Sequence, residues 1–425
     1  MAQKIESLRG MDDILPGEVE KWQWLEQQAR AFFEGFGFKE IRTPILEYTE
    51  LFSRGVGEGS DIVRKEMFSF KDRGDRDITM RPEMTASVAR AVIEKGLLSQ
   101  SKSLRFYYIG PMFRAERPQA GRKRQFHQIG IEIINEAGSS ADISCVKNLY
   151  LFLRKVGIEQ LELRINDLGS VEDQKKTAEK LREYFLKTKD ALCEDCRDRL
   201  DKNVLRVFDC KNPKCQPVID QAPWEEIAPK SPEFEETKKD LERWSIPYQV
   251  KRRLVRGLDY YNGLVFEVSS KALGAQDALA GGGRYDRLYS DLGGKPTPCI
   301  GFSIGMERLL TALGDIATQR ARENVIYLAP IMSAEDFVRS GSLKLFDSTV
   351  NELAQLGMKP IFLDNFELKL DNHLKNAIKA NAKYMIILGL DELAKKQWKL
   401  KDMDKRSEEM VDWGNLFSKL KQVNV

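Results

Sequence analysis

The stretch RQFHQIGIEII, residues 124–134, divides its side chains between two faces. In a strand of period two, Ile129, Ile131 and Ile133 fall on one side, and Phe126, Gln128, Gly130 and Glu132 fall on the other. The isoleucine side is the core side. An aromatic ring, an amide, a gap and a carboxylate then share one surface, which is how a binding floor is composed. Just ahead lies a basic loop with Arg117, Arg122, Lys123 and Arg124, preceded by Arg114. Guanidinium groups gathered around a turn suit a polyphosphate, because each one makes paired hydrogen bonds to phosphate oxygens. A solvated turn would use the same residues.

A second stretch, RGLDYYNGLVFEV (256–268), puts Arg256, Asp259, Tyr260 and Tyr261 ahead of Asn262-Gly263. The Asn-Gly pair predicts a β-hairpin turn, and Leu264, Phe266 and Val268 alternate as a half-buried strand does. Neighbours on a strand point to opposite faces, so Tyr260 and Tyr261 are expected in different surroundings. The glycines of AGGGRYD (280–286) are not a phosphate loop, which ends in Lys-Ser/Thr. They permit either a close backbone approach or a bend. Only two histidines occur, His127 and His373. Parity places His127 on the isoleucine face, as a core histidine with its polar atoms satisfied. No Ser-His-Asp or Cys-His arrangement can be assembled.

Cys193-x2-Cys196 and Cys210-x4-Cys215 form two thiol pairs at spacings that allow a four-cysteine zinc site. Four thiolates leave no open coordination position, so such a zinc would be structural. Inert thiols of a small insertion fit the same spacing.

The elements that must hold these groups can be read more coarsely. A chain of 425 residues suggests two or three domains, and 42% hydrophobic with 31% charged residues is a soluble globular composition. No apolar run is long enough to span a bilayer, and the N-terminal residues lack the apolar centre of a signal peptide. Six cysteines in this length suggest a reducing, cytoplasmic setting rather than a disulfide scaffold. The net charge of +3 neither requires nor excludes nucleic acid.

Residues 18–36 and 85–97 read as helices, and 104–116 with 124–134 as two strands around the basic loop. Residues 170–245 are highly charged and helical, hold four of the six cysteines, and interrupt a β-rich region between LELRIND and YQVKRRL. CIGFSIGMERLLTAL (299–313) reads as a strand running into a helix. From 323 onward strands and helices alternate, which predicts a small α/β domain with mainly parallel strands. Its 15 basic and 15 acidic residues cancel, but Lys375, Lys379 and Lys383 recur every four residues and form one basic stripe on a helix. An RNA contact and an ordinary wet helix face both fit that stripe.

With these segments in view, the chain resembles one family. YYIGPMFRAERPQAGRKRQFHQIGIEI (107–133) and GFSIGMERLL (301–310) are similar to two signature motifs of class II aminoacyl-tRNA synthetases. RGLDYYNGLVFE, GGGRYD and RPEMTA (81–86) resemble motifs of the histidyl-tRNA synthetases, and the likeness runs over essentially the whole chain.

The resemblance implies an α+β catalytic domain built on an antiparallel sheet flanked by helices, the class II synthetase fold, over 1–322. A helical insertion at about 170–245 would interrupt it, and 323–425 would be an α/β anticodon-binding domain. It implies activation of histidine by ATP with Mg2+, transfer to a histidine-specific tRNA, a homodimer and a cytoplasmic location. Arg256 and Arg114 would be catalytic, flanking the α-phosphate. Glu132, Tyr261 and Tyr285 would line the imidazole pocket, with Tyr260 beside them, while Glu83, Thr85 and Gln128 hold the α-amino and carboxylate groups. Phe126 and Arg308 would sandwich the adenine, and Arg122 with Arg114 would bind ATP phosphates.

Met84 and Asn262 depart from the glycine and threonine frequent at these places in the family. The cysteine quartet is not a family hallmark, so the resemblance adds nothing to zinc. The rival reading is a non-catalytic paralogue serving as a histidine-binding regulatory subunit. Such paralogues typically lose the Arg256-type motif and the C-terminal domain.

Overall fold

The alternation that separates the isoleucines from Glu132 also fixes the centre of the main sheet in the computed structural model. The model describes residues 4–57, 59–117, 122–273, 277–363, 365–366 and 368–423. The middle of the basic loop, 118–121, lies outside the described residues. Residues 4–13 with 26–313 make one compact unit, and 14–25 with 314–423 make another.

The described strands of the first unit are β1 (Lys39–Glu40), β2 (Leu46–Tyr48), β3 (Phe68–Lys71), β4 (Asp77–Met80), β5 (Leu104–Phe113), β6 (Gln125–Ile134), β7 (Leu161–Asp167), β8 (Tyr248–Val250), β9 (Asn262–Ser270), β10 (Ala278–Arg284) and β11 (Cys299–Gly305). The main sheet runs β1-β5-β6-β11-β10-β9-β7-β8, and β2-β4-β3 form a small separate sheet. The six central strands of the main sheet pair antiparallel, and only the edge pairs β1–β5 and β7–β8 are parallel.

Ile129, Ile131 and Ile133 are fully buried. On their side Phe33 packs 5.1 Å from Phe152 of the helix Ser139–Val156 and 6.1 Å from Phe302. Each buried isoleucine contributes about 1.5–3 kcal/mol, so three together rival the net stability of a domain. A one-residue slip would turn all three outward. The register is therefore fixed, and with it the face that carries Gln128 and Glu132.

Between β7 and β8 the chain leaves the sheet as the helices Val171–Lys187, Glu194–Lys202, Gln216–Asp220, Trp224–Ile227 and Pro232–Arg243. Ser170 and Asp173 cap the first helix reciprocally, each side chain accepting the other's backbone N–H. Pro232 opens the last one behind a Ser231 cap. Leu181, Phe185, Leu200, Val207 and Trp224 give the insertion a core of its own.

The Asn262-Gly263 pair does not make the hairpin turn that the sequence predicts. β9 starts at Asn262 and lies between β10 and β7. The Gly263 backbone is engaged across the sheet, donating to the Gly169 carbonyl and accepting from the Leu168 N–H. Residues 254–261 consequently form a loop, and strand alternation does not govern Tyr260 and Tyr261.

In the second unit β12 (Val325–Ile331), β13 (Lys359–Phe362) and β14 (Tyr384–Gly389) are parallel in the order β13-β12-β14, as the alternation predicts. An antiparallel pair, β15 (Gln397–Asp402) and β16 (Ser407–Asp412), extends the sheet beyond β14. The sequence hid this pair because β16 (SEEMVD) exposes every residue but Val411. The lysine stripe is not formed: the helix Leu370–Lys379 ends, Asn381 turns the chain at φ 59, and Lys383 lies beyond it. Among the described residues no helix is long and apolar enough to cross a membrane.

Candidate active site

The polar face of β6 lies beneath a cavity of about 170 Å³, the scale of an amino-acid side chain and below that of a drug-sized pocket. Its floor comes from Tyr108 on β5, Gln128 on β6 and Ser303 on β11. Glu83 and Thr85 enter from the start of the helix Thr85–Glu94, Arg256, Tyr260 and Tyr261 from the 254–261 loop, and Tyr285 from the end of β10. Tyr260 and Tyr261 thus share one cavity, with ring centroids 4.7 Å apart, contrary to the strand-based expectation. Tyr260 also meets Tyr285 edge to face at 5.7 Å.

Glu132 sits directly behind these groups, 1% exposed. Thr85 Oγ1 donates to it at 2.7 Å and the Tyr285 hydroxyl donates to its other oxygen. Its strand partner across the sheet is Gly301, where any Cβ would overlap the carboxylate. Burial pushes Glu132 up to about 8, and its two hydroxyl donors offset burial only in part. A carboxylate has about four acceptor positions, so capacity remains for a further N–H donor. Gly130, the gap on this face, is filled by the Tyr108 ring from β5, where a Cβ would collide with the phenol.

Glu83 caps the helix behind Thr85: its carboxylate accepts the backbone N–H groups of Thr85 and Ala86, each at 2.8 Å. The Tyr260 hydroxyl approaches it at 3.4 Å. Burial raises its pKa against these donors. Gln128 donates to Ser303 Oγ at 3.3 Å, while its Oε1 is buried without a hydrogen-bond partner among the described residues. A buried carbonyl left like this calls for a donor from whatever fills the cavity.

Arg256 and Arg114 bring positive charge to the cavity. Arg256 pairs with Glu267 at 3.0 Å. Its guanidinium lies over Gly281, where a Cβ would overlap it. The glycine run of β10 therefore serves a close approach, and the group that approaches is Arg256. Arg114 donates to the Pro82 carbonyl at 2.9 Å and stacks 5.1 Å from the Phe126 ring centroid. Arg308 donates to the Ala278 carbonyl at 2.8 Å, and its pKa is lowered by burial and then by neighbouring Arg122 and Arg114. Arg122 itself pairs with Glu116 at 3.1 Å. Like charges gathered at this cost suit a multiply charged anion.

Eight of the residues singled out from sequence line the cavity: Glu83, Thr85, Arg114, Gln128, Arg256, Tyr260, Tyr261 and Tyr285. Glu132 lies behind them, and Phe126, Arg122 and Arg308 lie outside its lining. Tyr108 and Ser303 were missed. Tyr108 could have been found, because its antiparallel partner Gly130 leaves the space that an aromatic neighbour fills. His127 is paired with Glu307, 3.1 Å from Nδ1, at the margin of the core. Asn262 grips Asp286 twice, donating to its carboxylate and accepting its backbone N–H, next to Tyr285. Met84 is buried, its sulfur accepting from Thr43 Oγ1.

The four cysteines of the insertion converge, with all Sγ atoms within 4.8 Å of one another. Cys193 and Cys210 Sγ are 3.8 Å apart, the edge of a sulfur tetrahedron around zinc at a Zn–S distance of about 2.3 Å. Backbone N–H groups of Cys193 and Asn212 point at the sulfurs of Cys215 and Cys210. The donor set fits a tetrathiolate zinc.

Comparison with known proteins agrees with this architecture. The family profile Histidyl-tRNA synthetase matches residues 10–309, and Anticodon binding domain matches 329–423. A histidine–tRNA ligase of Synechococcus sp. (strain RCC307) is 43% identical over 94% of this chain and 95% of its own. One from Natranaerobius thermophilus is 40% identical over 98% of both. The crystal structure of apo S. aureus histidyl-tRNA synthetase superposes with a TM-score of 0.70 at 31% identity, covering 98% of this chain and 100% of that one.

Proposed function

The chain belongs to the histidyl-tRNA synthetase family, and from that premise we propose how its residues divide the work of a histidine–tRNA ligase. The observation that carries the assignment is Glu132, a buried carboxylate pushed up to about 8 behind a cavity of side-chain size. An imidazole N–H supplies the missing donor, and an apolar side chain leaves the carboxylate uncompensated. Tyr261 and Tyr285 complete the ring pocket, with Tyr260 packed against both. Glu83 takes the α-ammonium group, while Thr85 and Gln128 orient the amino-acid backbone.

One carboxylate oxygen of histidine attacks the α-phosphorus of ATP in line, the bond to the bridging oxygen breaks, and pyrophosphate leaves. The nucleophile is already ionised, so no base is needed. Negative charge growing on the α-phosphate is met by Arg256 from one side and Arg114 from the other. Phe126 and Arg308 hold the adenine, and Arg122 with Arg114 holds the phosphates. Mg2+ accompanies ATP on its β- and γ-phosphates. The tRNA 3′ hydroxyl then takes the histidyl group and releases AMP.

On this reading 1–322 is the catalytic domain with its insertion at about 170–245, and 323–425 is the anticodon-binding domain. The enzyme is a cytoplasmic homodimer. Cys193, Cys196, Cys210 and Cys215 hold a structural zinc with no open position for chemistry. The test is charging of tRNA with labelled histidine. Product that is sensitive to base hydrolysis and requires ATP supports the proposal. Histidine binding without charging would instead indicate the regulatory paralogue.

A further inference from the structure

The loop that carries Arg256 and Tyr260 has no place in the sheet, and the cysteine-bearing insertion holds it from outside. Helix Glu194–Lys202 starts immediately after Cys193 and bears Cys196, and the turn Val204–Asp209 delivers the chain to Cys210. Asn203 joins the two, and Arg206 lies within the turn. Asn203 Nδ2 donates to Asp259 Oδ1 at 2.8 Å, and Arg206 Nη2 donates to the Gly257 carbonyl at 2.6 Å. Both acceptors fall between Arg256 and Tyr260.

The guanidinium of Arg206 is buried, 5% exposed, so the bond is not a chance surface contact. Arg199 braces it, donating to the Arg206 carbonyl at 3.0 Å and to Asp61 at 3.2 Å. Arg64 pairs with Asp198 at 2.6 Å, tying the same helix to the segment beside Ile62, which lines the cavity. On the far side, Gly57 at φ 94 leaves room for the Asp259 carboxylate, which a Cβ there would meet at 2.7 Å.

We propose that the tetrathiolate knuckle is a positioning device for amino-acid activation, with Asn203 and Arg206 as positioning residues that transmit its shape to the Arg256–Tyr261 loop. The inference rests on reading the cysteine quartet as a metal site. Closing two thiol pairs around one ion fixes the ends of the segment 193–215 in a way that the short helices between them cannot. Metal loss then loosens the clamp rather than the sheet, and the groups that suffer are those reaching histidine and the α-phosphate.

The experiment uses the full chain. Zinc is counted in purified protein by mass spectrometry, and ATP–pyrophosphate exchange is measured for Arg206→Met, Arg206→Lys, Asn203→Ala and Cys210→Ser. One zinc per chain is expected in all but Cys210→Ser. Arg206→Met and Asn203→Ala should raise KM for histidine about tenfold, with KM for ATP changed less than about twofold and Arg206→Lys partly restored. Should Arg206→Met not fold, Asn203→Ala carries the kinetic test alone. Unaltered histidine kinetics in a zinc-loaded, folded positioning variant would overturn the clamp. Wild-type protein free of zinc, with four titratable thiols and full activity, would overturn the metal reading while the clamp variants still report on positioning.

Discussion

Replacing Glu132 by Gln should make the protein more stable and its enzyme activity worse. Glu132 ionises near 4.5 in an unfolded chain and near 8 in the folded one. Between those values the folded state keeps a proton that the unfolded state has released. Its contribution is therefore fully favourable below pH 4.5 and is lost as pH rises, at about 1.4 kcal/mol per pH unit. By pH 8 the loss amounts to about 5 kcal/mol, an upper figure because the structure relaxes. Glutamine keeps the shape and removes the charge, at the cost of a weaker acceptor for Thr85 and Tyr285, about 1–2 kcal/mol. The net gain at pH 8 is then at most about 3–4 kcal/mol, or on the order of 5 °C in melting temperature. Near pH 4.5 the variant should gain nothing, since there the wild-type residue is neutral too.

Glutamine also offers one acceptor oxygen where glutamate has two, so the imidazole N–H loses a partner and KM for histidine should rise by about 10- to 100-fold in ATP–pyrophosphate exchange. Melting curves from pH 5 to 8.5 and exchange at saturating ATP measure the two effects on the same preparations. A Glu132→Gln protein that keeps the wild-type pH slope of stability, or one that binds histidine normally, would refute the assignment of Glu132 to both roles.

Two glycines separate function from folding in the same way. At Gly281 the three atoms nearest an added methyl all belong to the end of the Arg256 side chain. Gly281→Ala should fold with a nearly unchanged melting temperature while exchange kcat falls about 10²- to 10³-fold, as on removal of one donor to a developing charge. At Gly301 the methyl overlaps both Glu132 and the backbone carbonyl of Ile131, and that carbonyl cannot rotate away. Gly301→Ala should therefore lose about 3 kcal/mol or more of stability, read by denaturant titration. Equal melting temperatures for the two variants would contradict this geometry.

The readable parts of the sequence were those decided by periodicity. Three isoleucines two apart fix the face of β6, and with it Gln128 and Glu132, from sequence alone. The parallel strands of the second unit were readable for a similar reason, being continuous apolar runs bounded by helical segments. Tyr260 and Tyr261 were misassigned because backbone pairing of Gly263 with Leu168 and Gly169, a contact about a hundred residues long in sequence, converts a hairpin signal into the start of a strand. The role of Gly281 was equally hidden: its reason is Arg256, on a different segment. β16 gave no alternation to read because this edge strand buries Val411 alone, so the alternation of Trp398 and Leu400 in β15 had no visible partner strand. The thiol spacing suggested a metal site, but the contact of Arg206 with the 254–261 loop depends on tertiary packing that no spacing rule expresses.

ATP–pyrophosphate exchange without tRNA, run against each of the twenty amino acids, decides whether this cavity takes histidine and activates it. Exchange with histidine alone is expected, because an imidazole brings an N–H donor to Glu132 and its ring packs against Tyr261 and Tyr285. Exchange with a different amino acid, or none with histidine from folded protein that binds it, would rule out histidine activation at this cavity.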